Sequence, residues 1–188
     1  MIRAYLRERF SLSFFGPLAL TLAICAVGRP AAVREVAIAT LGAALLLAQF
    51  RIWDDIADRR ADKSAHPDRV LVCASDYTPL VALGVGLLAL NLAVVTQRDS
   101  ALAPILILAA LHLVLGGHYF LRNGRTVFGD QLLLAKYPAF VVILAGDRLL
   151  TSPLPVTIAA GAVYAAASAY EAWHDPVSPL AQLLGGRS

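Results

Sequence analysis

Two cysteines, Cys25 and Cys73, are all that this 188-residue chain contains. They stand far apart and fit no metal-ligand spacing, so neither a cysteine-held metal nor a disulfide framework organises the fold. Cys25 lies inside an apolar run, where a thiol serves as a small packing group. The chain also lacks any lysine and arginine tract interleaved with aromatics. Its net charge of +3 therefore does not mark a nucleic-acid surface. No low-complexity stretch, strong internal repeat or second domain is visible, and residues 1–188 read as one unit.

What the chain has is apolar length. Hydrophobic residues make up 59% of it, and the mean hydropathy is +0.68 with a pI near 9.1. That is well outside the range of an ordinary soluble domain. Residues 1–10 are basic and amphipathic, with Arg3, Arg7 and Arg9 beside Glu8. Apolar runs of membrane-spanning length follow at about 11–28, 36–53, 77–96, 101–121, 130–146 and 154–173. The first run after a basic segment has the form of a signal peptide, but it is long and further spans follow, so it is read as a span. The expected fold is all-α: a polytopic bundle of about six transmembrane helices.

Charge asymmetry orients such a bundle. With the N-terminus inside, eleven lysines and arginines fall on the inner side and four on the outer, Lys136 lying within a span. The expected location is an inner membrane of bacterial type, with both termini cytoplasmic. The ends of the second, fourth and sixth spans then share the cytoplasmic side. The basic bias fits topology and anionic lipid.

The most polar stretch begins where the second span ends, at Gln49-Phe-Arg-Ile-Trp-Asp-Asp-Ile-Ala-Asp-Arg-Arg-Ala-Asp-Lys63. Each helical residue turns the chain by about 100°, so with Asp54 at zero, Asp58 falls near about 40°, Asp62 near about 80° and Asp55 near about 100°. Arg51 falls at about 60°. Four acids and one base thus share one face, and like charges so stacked repel one another. The plain reading is a solvated helix end in which Asp58 and Asp62 pair with Arg59, Arg60 and Lys63. Position argues for more, because charge at the end of a membrane-length segment is costly and usually functional. A hard divalent cation with oxygen ligands is the candidate occupant.

Other polar groups are expected at the same mouth. Tyr119 and Arg122 follow the fourth span, and Glu171 and Asp175, four residues apart, end the sixth. Lys136 lies near the start of the fifth span and can snorkel to the mouth. His112 and His118 are six apart and share no helix face, so packing explains them better than a metal pair. His174 is read as interfacial, Trp53 as packing away from the acidic face, and Asp147-Arg148 as a solvated cap on the opposite side.

The run Asp54-Asp55-Ile-Ala-Asp58-Arg-Arg-Ala-Asp62, followed by His66-Pro67-Asp68-Arg69, resembles the first aspartate-rich motif of the UbiA superfamily of intramembrane prenyltransferases. That motif reads Asn-Asp-x-x-Asp-x-x-x-Asp after the second helix. Asp55, Asp58 and Asp62 match it, and Asp54 stands in place of Asn. Tyr119 and Arg122 are the counterparts of a Tyr and a basic residue between helices 4 and 5, at a shorter spacing. Glu171-Ala-Trp-His-Asp175 keeps the spacing of a second motif, with Glu for the first Asp. The family usually has nine helices, whereas this chain predicts six, and a second copy or a partner subunit is one source of the missing walls.

The resemblance implies a Mg²⁺-dependent transfer of the prenyl group of an isoprenyl diphosphate to an aromatic or other small acceptor within membrane lipid. It implies metal ligation by Asp54, Asp55, Asp58 and Asp62, and by Glu171 and Asp175 for a second ion, with Asp55, Asp58, Asp62 and Tyr119 as catalytic residues. The diphosphate contacts are expected from Arg51, Lys63, Arg69, Arg122 and Lys136. Tyr119, Phe120 and Trp173 are candidates to face an allylic cation. Alternatives are a terpene cyclase, a transferase to a phosphosugar, a catalytically inactive lipid-binding or assembly subunit, and a transporter-like protein.

Overall fold

A computed structural model of the chain describes residues 1–28, 31–97 and 101–185. Arg29-Pro30 after the first run, Arg98-Asp99 after the third, and Arg187 of the charge count lie outside these residues. All regular elements among the described residues are helices. Five segments are long and apolar enough to cross a membrane, and six if the bent pair at the N-terminus counts as one. The protein is an all-α polytopic bundle.

The bent pair is α1 (Ile2–Arg9) and α2 (Leu12–Val27), which meet at 70°. The basic segment therefore folds across the end of the bundle instead of prolonging the first span. α2 ends at Gly28, whose φ of 69° is a conformation that glycine adopts at little cost.

α3 (Val33–Ala65) corrects the boundary expected for the second span: it is one helix of 33 residues that runs through the whole acidic motif. No proline interrupts it, and Glu35 accepts a hydrogen bond from the Ala32 N–H at 3.3 Å at its start. It stops at His66, the residue before Pro67, where helical geometry is disfavoured. At about 1.5 Å per residue it extends roughly 50 Å, against a hydrocarbon core of about 30 Å. Its last three turns, which carry the aspartates, therefore project beyond the apolar span.

Two short turns separate α3 from α5 (Thr78–Thr96), with α4 (Val70–Cys73) between them. α6 (Leu102–Leu121) matches the fourth run. The fifth is broken into α7 (Val127–Leu134) and α8 (Lys136–Ala145). Pro138 explains the break: it has no N–H to offer the carbonyl of Leu134, and its ring crowds that carbonyl. After α9 (Arg148–Thr151), α10 (Pro153–His174) forms the last span and α11 (Pro179–Leu183) closes the described chain.

α2, α3 and α8 form the centre of the bundle. α5 lies on α3, α6 on α8, and α10 on α8 and α2. Ala19, Ala23 and Ala26 of α2 and Ala39, Gly42 and Ala43 of α3 are buried small residues, which let two membrane helices approach closely. Phe50, Leu46, Leu115, Phe140 and Val141 fill the space between α3, α6 and α8. The cysteines are free: Cys25 packs against this core, and exposed Cys73 donates its thiol proton to the Pro67 carbonyl at 3.2 Å.

Candidate functional site

The projecting end of α3 meets different neighbours on its two flanks. The four aspartates span about 100° of the helix, which is wide enough for the edges of one face to touch different elements. Asp54 and Asp58 face α6 and α8. Asp55 and Asp62 face α1 and α4.

On the first flank, Tyr119 donates its hydroxyl proton to Asp54, and Lys136 makes an ion pair with the same carboxylate. Lys136 is buried at the start of α8, so this pair ties α3, α6 and α8 together. One turn further along, Arg122 pairs with Asp58. The Arg122 guanidinium also lies over the Tyr119 ring, 4.7 Å from its centre. Trp53, half-buried, stacks on His112 and meets Tyr119 edge to face.

On the second flank Asp55 is enclosed. Tyr5 donates to its Oδ2 at 2.7 Å, and Arg9 adds a two-pronged contact at 2.6 and 3.0 Å. Arg51 lies 3.4 Å away within α3 itself. Asp62 pairs with Arg69 at 2.5 Å, and Glu8 accepts from the Val70 N–H at 2.9 Å, which fastens α1 to α4. The crevice left on this flank has a volume of only about 10 Å³.

The first flank opens instead into a cavity of about 630 Å³. Its charged lining is Asp58 against Arg59, Arg60, Arg122 and Arg125, with Tyr77, Tyr119 and Phe120 among the other walls. A second, apolar cavity of about 310 Å³ lies between α3, α5 and α6, and Ile56 lines both. At the apolar end sits a buried polar chain. Asn91 donates to Gln49 Oε1 at 2.8 Å, and Gln49 Nε2 lies 2.6 Å from His112 Nε2. His112 Nδ1 is 2.7 Å from the Leu108 carbonyl, which can only accept, so Nδ1 carries the proton and Nε2 accepts from Gln49. Gln49 is thereby bonded through both its amide oxygen and its amide nitrogen, and His112 through both ring nitrogens.

Glu171 and Asp175 do come to the same mouth. Both accept from Arg125, at 3.0 and 2.7 Å, and Asp130 accepts from it at 2.8 Å. Burial works against the Arg125 charge, but the hydrogen bonds and negative charge of Asp130 and Asp175 prevail and raise its pKa above the usual arginine value. α10 ends at His174, so Asp175 follows the helix instead of continuing it.

Of the expected phosphate contacts, only Arg122 lines the large cavity. Arg51 and Arg69 lie on the Asp55 flank, Lys136 is buried against Asp54, and Lys63 is exposed. Trp173 is 80% exposed and lines neither cavity, whereas Tyr119 and Phe120 do line the polar one. His174 stacks on Tyr170, and Asp147 stands at the other end of the bundle with Arg148, which donates to the Ala26 carbonyl at 2.6 Å. Arg59 and Arg60 do not pair with Asp58 and Asp62. Arg59 donates to the carbonyls of Leu71 and Ala74, at 2.9 and 2.8 Å. Sequence reasoning passed over Tyr5, Asn91, Arg125 and Asp130; a polar residue inside an apolar run was the available signal for Asn91.

For Mg²⁺ the donor set has the right chemistry in the wrong arrangement. The acids are split between two flanks, each is already bound to a cationic side chain, and no three of the described His, Cys, Asp and Glu residues gather as ligands. The residues as placed do not form a cation cage. No protein-family model matches the chain, and no curated protein or solved structure is significantly similar to it.

Proposed function

We propose that the chain is an intramembrane enzyme of prenyltransferase type, with the diphosphate of an isoprenyl diphosphate in the arginine-lined cavity and its apolar tail in the adjoining groove. One observation carries this reading: a cavity with four arginines against one aspartate shares the wall residue Ile56 with an apolar groove between membrane helices. A polyanion joined to a hydrocarbon chain matches that pairing of surfaces. The charge bias supports a cytoplasmic side for this mouth.

In the proposed reaction the bond between the allylic carbon and the diphosphate oxygen breaks, and its electron pair leaves with the diphosphate. Arginines near the leaving oxygens offset the charge that develops there. Tyr119 and Phe120 present aromatic faces to the allylic cation. A π-electron pair of a small acceptor forms the new carbon–carbon bond, and the acceptor then loses a proton to the released diphosphate.

A second reading is a binding subunit that holds such a lipid without turning it over. The pairing of all four aspartates with cations of the chain favours it. The two are separated by measuring diphosphate release from geranyl, farnesyl and geranylgeranyl diphosphate by the purified protein in lipid vesicles. Release above that of empty vesicles is expected of the enzyme. Binding without release assigns the subunit role, and neither binding nor release by folded protein removes both readings.

A further inference from the structure

We propose that the cavity holds the phosphate oxygens directly with arginine side chains, with no bridging divalent cation, and that Asp58 positions Arg122 for this. The inference rests on the reading of the cavity as a diphosphate pocket.

The argument begins with charge. Asp58 is the one acid in the lining among the described residues, against Arg59, Arg60, Arg122 and Arg125. Arg59, Arg60 and Arg122 outnumber Asp58 at the part of the wall away from the Arg125 cluster, and that part attracts an anion directly, whereas a carboxylate-lined wall requires a metal between two anions. Availability comes next. Arg125 is occupied by three carboxylates, whose charge outweighs its own, so it offers the ligand neither contact nor attraction. Arg59 is held by two carbonyls and contributes its charge more than contact. Arg60 is exposed and has no ion-pair partner among the described residues. Among the described residues Arg122 binds Asp58 through Nη2 alone, and its guanidinium carbon lies over the Tyr119 ring. Its Nε and Nη1 remain as donors from a preoriented planar fork, which is the geometry that suits phosphate. Asp58 gives its Oδ1 to Arg122, so a metal at this carboxylate would sit beside the guanidinium charge and be repelled by it.

The test measures equilibrium binding of radiolabelled geranylgeranyl diphosphate to the full chain in lipid nanodiscs, in EDTA and in Mg²⁺. The expected Kd is the same in both within about twofold. Arg122→Gln weakens binding by about tenfold or more in both, the loss of a charge-assisted contact. Arg122→Lys, which keeps the charge but not the fork, retains part of the affinity and serves if the glutamine variant does not fold. Arg60→Gln has a smaller effect, about threefold. Asp58→Asn raises Kd in EDTA and Mg²⁺ alike, and Asp58→Glu restores it, as a positioning role requires. Binding seen only with Mg²⁺, and lost in Asp58→Asn, would overturn the proposal while leaving the diphosphate pocket in place. Absence of binding in both conditions, with a cooperative thermal transition showing folded protein, overturns the pocket reading and this proposal with it.

Discussion

The two flanks of the acidic helix end carry the same residue type and do different work. Asp55 is 7% exposed in its side chain, while Asp58 is 40% exposed. Asp55 is closed in by Tyr5, Arg9 and Arg51, beside a crevice of about 10 Å³. Among the described residues Asp58 has one partner, Arg122, and it looks into about 630 Å³ of open space. A buried charge surrounded by donors fixes a fold; a charge with one partner at a cavity wall can orient that partner toward a ligand. The difference comes from what each flank touches: α1 folds back over one, and the loop after α6 leaves the other open.

The comparison can be broken most directly at Asp55. Asp55→Ala leaves Arg9 and Arg51 facing a buried void without their counter-charge, and removal of one partner from a buried pair costs about 3–5 kcal/mol. A large drop in thermal stability is expected in lipid nanodiscs, with ligand affinity of the folded fraction nearly unchanged. An Asp55→Ala protein that stays as stable as the parent but loses binding would reverse the roles of the flanks. A milder probe is Tyr5→Phe, which deletes one hydrogen bond to a carboxylate that keeps its Arg9 contacts; about 1.5 kcal/mol of stability should be lost, measured by the same thermal unfolding. The smallest stability change is expected at Asp58→Asn, no more than about 1 kcal/mol for a pair this open to solvent. If that variant unfolds as readily as Asp55→Ala, both flanks are structural and the distinction falls.

Much of the fold was legible because apolar length is a local property. The runs at 77–96, 101–121 and 154–173 lie within a residue or so of Thr78–Thr96, Leu102–Leu121 and Pro153–His174. The fifth run did not reveal its break, although Pro138 carries the reason for it. The second hid the continuation of α3 to Ala65, because hydropathy falls at Asp54 while helical geometry does not. In the site, the acids and their spacing were visible, and so was the gathering of the span 2, 4 and 6 ends at one mouth. Their partners were not. Asp58 and Arg122 are 64 residues apart, Asp54 and Lys136 82, and Asp55 and Arg9 46. Nothing within a helical turn of Asp55 announces that an N-terminal tyrosine and arginine will cover it.

By itself, then, the sequence determined that this chain is a helical membrane bundle with an acidic helix end at one mouth. Hydrophobic run length and the helical repeat suffice for that, since both act between near neighbours. Only the tertiary structure decided which carboxylate is sealed and which lines a cavity. It also decided that the cavity is walled chiefly by arginine. Those outcomes depend on the 70° bend between α1 and α2 and on the loop from Arg122 to Arg125. Both bring together charges that are distant in the chain, and their pairing is settled by packing and by the cost of leaving a charge unpaired out of water.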